Sequence, residues 1–344
     1  MLDTEEMRWV RSTANELNNL LQVITESSQF LEKFCKDKAE AQKYTEMLRG
    51  ALDRAAQVTR LMVQRAGSSF ADASAVVPSA SPDACAPANL SLATAGKLTI
   101  GTDNPAYPPY FAENADKSKT KPWELGDPTN GKGFESAVGY ALAQRMGFAK
   151  TDVAWIVVPF LNSFAPGAKL FDIDLNQVNY KVERTKTADL SKGYYFGNQA
   201  LVVLKDSPLA KATSIAQLKD YVYGAQVGTT SYDAIGKLIA PSKAARVYDT
   251  NDLAVKALAN KTIDGVVVDL PTADFITNVQ VENAKIVGQF DGGTPEYFSA
   301  VLAKGSPLTD CVNAAIASLT ADGTLKTLAS TWLPFQDSVP VIKP

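Results

Sequence analysis

From Lys97 to about Phe335 the chain alternates short β-branched runs with helical stretches, and this alternation constrains the fold more than any other feature. LTIGTD, VAWIVVPF and ALVVLK read as strands, whereas ESAVGYALAQRM and DLAVKALAN read as helices. Strands and helices taken in turn define an α/β domain. About 240 residues is large for one sheet, so a bilobed arrangement is expected. Apolar residues make up 46% and charged residues 21% of the sequence, enough apolar side chain to bury a sizeable core.

The first 67 residues have a different texture. They contain no proline, and Gly50 is their only glycine before Gly67, so nothing breaks helix. Val10, Leu17, Ile24 and Leu31 repeat at seven, as do Leu48, Ala55 and Met62 after a charged break at Lys36-Asp37-Lys38. An antiparallel helical hairpin results, and two such hairpins bury their stripes by pairing as a four-helix bundle. A homodimer through residues 1–67 is therefore expected. Residues 68–95 turn rich in Ala, Ser and Pro and read as a linker.

Composition removes several chemistries. The chain has no histidine, which excludes Ser-His-Asp and Cys-His nucleophiles, imidazole metal ligands and histidine phosphotransfer. A net charge of −3 gives no basic excess for nucleic acid. Cys35, Cys85 and Cys311 lack C-x-x-C spacing, so no zinc or iron-sulfur site and no cofactor are expected. No apolar run is long enough to span a bilayer. The opening MLDTEEMRWVRSTANEL lacks the basic and apolar regions of a signal peptide, so the chain as written is expected to start in the cytosol.

Within the first helix, Ala14-Asn15-Glu16-Leu17-Asn18-Asn19-Leu20-Leu21 resembles the H-box of sensor histidine kinases, H-E-L-N-N-L-L, and the hairpin resembles their dimerisation and phosphotransfer domain. Asn15 stands at the phosphoacceptor position. An amide offers no nucleophilic nitrogen there, so this position is expected to be inactive and the hairpin to dimerise only.

A second resemblance covers Lys97 to about Phe335. LTIGTD followed by Asn104-Pro105-Ala106-Tyr107-Pro108-Pro109-Tyr110 resembles the opening of the amino-acid-binding proteins of ABC importers, G-T-D-x-x-Y-P-P-F. Gly133-Phe134-Glu135 resembles their G-F-D motif, and Leu175 to Arg184 stands where they carry I-S-G-M-T-I-T-P-E-R. Val158-Pro159-Phe160, Tyr194-Tyr195-Phe196, Val227-Gly228-Thr229-Thr230-Ser231 and Ile263 to Asp269 follow in the family's order. The resemblance implies a type II periplasmic-binding-protein fold that closes over a free amino acid by hinge bending and delivers it to an ABC permease. It implies an extracytoplasmic location, in the periplasm or at the cell surface. Crossings between lobes are expected near Asn198 to Leu204 and near Tyr297 to Leu302. Lobe 1 is then about 97–200 with 300–335, and lobe 2 about 201–299, within a domain of 96–336.

The residues in these motifs suit a zwitterion. The planar fork of Arg184 can bind both oxygens of a carboxylate, or else form a surface ion pair after a turn. Thr229 and Thr230 precede a helix whose free N–H groups can meet the same carboxylate. For the ammonium, the resemblance implies Asp269, after an apolar strand, as the acceptor. Tyr107, Tyr110 and Phe160 are expected as apolar walls, although aromatic residues after strands also fill cores. Asp103 either contacts the ligand or caps a turn. Asn176, Gln177, Val178 and Asn179 replace the small residues of S-G-M-T, and with Asn162 they make an amide-rich pocket expected to favour a small or polar neutral amino acid.

Cys85 and Cys311 are expected to pair and pin the second half of the linker to lobe 1, with two buried free thiols as the alternative. Residues 113–132 read as an insertion in which Trp123 folds over the cleft. A hairpin and a binding domain without a membrane span between them suggest a fusion, natural or engineered. A cytosolic ligand sensor coupled to a kinase-like bundle is the runner-up. A cyclohexadienyl-dehydratase-like enzyme, with Glu135, Glu183 or Asp269 as general acid, is the other alternative, but none of the three has a catalytic partner by spacing, so no enzymatic activity is expected.

Overall fold

The computed structural model divides the chain into two compact units, Met1–Pro78 and Ser79–Pro344. It describes residues 85–114, 121–292, 296–335 and 338–343, all in the second unit. The helical hairpin, its dimer, Asn15 and the first part of the linker lie outside the described residues. No helix among the described residues is long and apolar enough to cross a membrane.

The chain enters along one face of the first lobe. Cys85 is disulfide-bonded to Cys311, and Leu90 and Leu92 pack against the lobe's core. The Asp172 carboxylate then accepts from the N–H groups of Ala93 and Thr99. The described end of the Ala/Ser/Pro-rich stretch is thus tied down, as the expected cystine bridge requires.

Strand β1 (Leu98–Thr102) is buried along its whole length, so both of its faces pack inside the first lobe and neither is a solvent face. Helix α1 (Phe134–Arg145) covers it, sending Phe134, Val138 and Leu142 into the core. Strand β2 (Val153–Val157), the single turn α2 (Phe160–Ser163), β3 (Ile173–Asp174) and β4 (Ala188–Gly197) follow.

At Asn198 the chain changes sheets. The second lobe contains β5 (Gln199–Leu204), β6 (Tyr223–Gln226), α3 (Thr230–Ala234), β7 (Arg246–Tyr248), α4 (Asn251–Ala259), β8 (Gly265–Asp269), α5 (Leu270–Phe275) and β9 (Ala284–Gln289). The chain returns with β10 (Glu296–Ala303), α6 (Leu308–Ala321) and α7 (Thr324–Trp332). The sheets run β2-β1-β3-β10-β4 and β7-β6-β8-β5-β9. Tyr297 to Leu302, expected at the second crossing, lies wholly within the first sheet, because β10 pairs with β4 from Glu296 onward.

A further crossing has no counterpart in the sequence reading. Phe335 packs against the cores of both lobes, and residues 338–343 then run beside β9. Gln289 donates its N–H to Pro340 O at 2.8 Å, while Ile342 and Lys343 donate to Gln289 O and Thr213 O. Ile342 is buried in the second lobe's core. Gly288 makes room for this strap: a Cβ there would lie 2.8 Å from Pro340 O. The edge of the second sheet is thereby covered.

Candidate functional site

The carboxyl ends of β1, β6 and β8 face a cleft between the lobes, the usual place for a ligand in an open α/β sheet. A cavity of about 50 Å³ lies there. Its walls include Asp103 and Tyr107 after β1, Phe160 at the start of α2, and Gln177, Asn179 and Arg184 from the segment after β3. The second lobe contributes Thr229, Thr230 and Asp269.

Each first-lobe group is placed by its local structure. Gly133 adopts φ 93°, and a Cβ there would strike Tyr110 O at 2.5 Å, so only glycine lets the turn at 109–112 close over the start of α1. The Phe134 and Glu135 N–H groups donate to Pro109 O and Tyr110 O, which satisfies the first turn of α1. Asp103 accepts from the N–H groups of Asn104 at 2.7 Å and Phe160 at 3.1 Å. Burial raises its pKa, against those two bonds. The Tyr107 hydroxyl is raised by burial and by the Asp252 carboxylate beside it.

Arg184 is buried, with its guanidinium 4.4 Å from the Phe164 ring centroid and 5.5 Å from that of Phe160. It donates to Asn179 O and, across the cleft, to Gly228 O at 2.9 Å. Burial lowers its pKa to about 10, leaving it cationic at neutral pH. Gly228 O lies one residue ahead of Thr229, which caps α3 by accepting from Tyr232 N–H. Cation and helix terminus therefore stand side by side at this wall of the cavity.

Asp269 ends β8 opposite them. Its Oδ1 accepts from Asn179 Nδ2 at 2.8 Å and Gln199 Nε2 at 2.7 Å. Burial, helped by Glu296, raises its pKa to about 7 despite those bonds and the Arg184 charge. Asn179 Nδ2 also donates to Thr230 Oγ1 at 2.9 Å. The lobes are further joined by Tyr110 Oη and Thr272 Oγ1 at 3.0 Å and by the ion pair of Lys181 with Asp233 at 2.5 Å. The cleft is shut.

Three expectations need correction. Tyr110 is fully buried and does not line the cavity, because its ring packs on Phe298 in the first core. Asn162 is exposed outside the cavity, on the turn α2. Trp123 does not fold over the cleft, but lies 6% exposed in the first lobe's core. The cavity also takes in Asn176, Gln226, Ser231, Asn251, Val268 and Thr272. Gln226 and Thr272 were within reach of the sequence, one ending a strand and the other a turn past Asp269. Asn251 carried no signal. Among the described residues no group of three or more Cys, Asp or Glu side chains is arranged to hold a metal.

Two lobes closing on a cavity that sets an arginine against an aspartate define a binding protein for small molecules. Residues 98–335 match the model of the bacterial extracellular solute-binding proteins, family 3, and the chain belongs to that family. It is 28% identical over 217 residues to the arginine-binding extracellular protein ArtP of Bacillus subtilis, covering 62% of this chain and 82% of that one. Identity to the L-cystine-binding protein TcyJ of Escherichia coli is 27% over 242 residues, or 69% and 82% of the two chains. Among solved structures, the ancestral amino acid-binding protein AncCDT-1, a precursor of cyclohexadienyl dehydratase, is similar with a TM-score of 0.54 and 26% identity, over 69% of this chain and 95% of that one.

Proposed function

We propose that the domain captures a free amino acid, small or polar and uncharged in its side chain, and presents it to an ABC permease outside the cytoplasmic membrane. The observation that carries this reading is the opposition of Arg184 and the α3 terminus to Asp269 across one small cavity. Arginine and helix N–H groups suit an α-carboxylate, and Asp269 suits an α-ammonium. At about 50 Å³ the space holds only a few water-sized groups, which favours a short side chain. The amides of Asn176, Gln177 and Gln226 add polar partners to its walls.

A second reading, a cationic side chain, is favoured by Asp103, a further carboxyl in a cavity with a single arginine. Calorimetric titration with the twenty amino acids separates the two. Micromolar binding of alanine, serine or glutamine supports the first reading, preference for arginine or lysine supports the second, and no binding of any overturns both.

The domain acts as a binder rather than an enzyme in this reading. Of the three acids considered for catalysis, Glu183 is exposed and Glu135 is sealed beneath the cleft, and Asp269, the one that borders the cavity, is held by the amides of Asn179 and Gln199. Turnover of a cyclic carboxylate such as prephenate would refute it. Residues 1–67 serve as a dimerising helical segment, joined as a natural or engineered fusion. Light scattering on the full chain gives twice the chain mass if this holds and the single-chain mass if it does not.

A further inference from the structure

Gln177 stands in the left-handed backbone region, with φ 49°. A side chain of this length rarely adopts that conformation, which glycine takes without strain. Something must hold it there. The holder is Glu135, completely buried in the first turn of α1. Its carboxylate accepts the Gln177 N–H at 2.9 Å on Oε1 and the side-chain Nε2 on Oε2. The Tyr194 hydroxyl, 2.5 Å from Oε1, supplies a third donor. Backbone and side chain of Gln177 are thus gripped by the same buried group.

Gln177 at the same time lines the cavity, whereas Glu135 does not. A carboxylate only accepts, so it commits one N–H of the Gln177 amide and fixes which way that amide turns. The side chain becomes a fixed part of the cleft floor instead of a rotamer that swings away from a longer ligand. The geometry points to Gln177 as the residue that limits the length of the ligand's side chain, and to Glu135 as the positioning residue that locks it. This inference rests on the amino-acid reading of the cleft.

The test is calorimetry of wild type, Gln177→Gly, Gln177→Ala and Glu135→Gln with alanine, glutamine and arginine as probes. Both Gln177 variants are expected to shift the affinity ratio of arginine to alanine at least tenfold toward arginine. Glu135→Gln, which presents an amide where an acceptor is needed, shifts the ratio in the same direction by less and adds nothing in the Gln177→Gly background. Gln177→Gly is expected to melt roughly 2–4 °C above Gln177→Ala, since alanine keeps the backbone strain and glycine relieves it. A merely structural role moves melting temperature and all three affinities together and leaves the ratio alone. An unchanged ratio with binding intact overturns the role of Gln177 while the amino-acid reading stands. Absence of binding for all three probes in every protein overturns that reading and the specificity role with it.

Discussion

Replacing Asp269 with asparagine removes a carboxyl that the fold makes hard to ionise, and the consequence can be worked out in sign and size. Its ordinary pKa is 3.8, and burial raises it to about 7 in the folded domain. A raised folded value means that the unfolded chain releases the proton first. Stability is therefore unpenalised below pH 3.8, falls as pH rises from there to about 7, and is level above that. The full shift corresponds to about 4 kcal/mol, and the partial exposure of Asp269 at the cavity wall reduces this to roughly 2–4 kcal/mol. Glu135 is also raised to about 7 by burial, but it is present in both proteins and cancels in the comparison. Thermal unfolding without added amino acid at pH 4, 6 and 8 reads the effect. The Asp269→Asn variant should match wild type at pH 4 and melt roughly 4–16 °C higher at pH 8. Binding moves the other way. An ammonium ligand needs the ionised carboxylate, so wild-type affinity should weaken up to tenfold per pH unit below 7, whereas the variant binds at least about 100-fold more weakly and shows no such slope. A variant less stable than wild type at pH 8 would refute the reasoning, because it would mean that Arg184 and the two amides stabilise the charge by more than burial opposes it.

Arg184→Lys keeps the charge but loses the planar fork that spans Asn179 O and Gly228 O, and should weaken binding about 10- to 100-fold by calorimetry. Replacing Cys85 and Cys311 with serine opens a bridge across a sequence separation of 226, which chain entropy values at about 5 kcal/mol. Urea unfolding should show a loss of several kcal/mol, and a loss below about 1 kcal/mol would assign the docking to the packing of Leu90 and Leu92 instead. Ile342→Ala should cost roughly 2–4 kcal/mol and speed amide exchange along β9, and unchanged exchange would show that the strap does not hold that edge.

The parts of the fold legible in the sequence were those written in local pattern. The strand-forming run at Leu98–Thr102 could be placed from its residue types, whereas the glycine and helix start at Gly133-Phe134-Glu135 were placed by their resemblance to a family motif. Arg184 and Asp269, which line the cavity, were within reach through their positions in the family's motifs, and their charges then suited the two ends of a zwitterion. Aromatic residues were less informative. Tyr107 and Tyr110 lie three residues apart in one motif, yet Tyr107 reaches the cavity and Tyr110 turns to Phe298, since the close turn over Gly133 directs that ring inward. Trp123 went to the core for a similar reason: a large apolar side chain in a polar stretch finds more burial in the first lobe than over a polar cleft. The left-handed Gln177 and the strap depended on partners 42 residues or more away, which no local pattern encodes.

The strap has a mechanical consequence for the domain as a reporter. Cys85 is bonded to the first lobe, and Ile342 is buried in the second, so the two ends of the described domain ride on different bodies. A rotation of one lobe against the other, about an axis that passes through neither end, changes the distance between those ends directly, without a signal having to pass through the hinge. A fluorophore pair attached near residues 85 and 343 would act as a calliper on the cleft, and a protein fused at either end would feel ligand capture as a displacement of its attachment point.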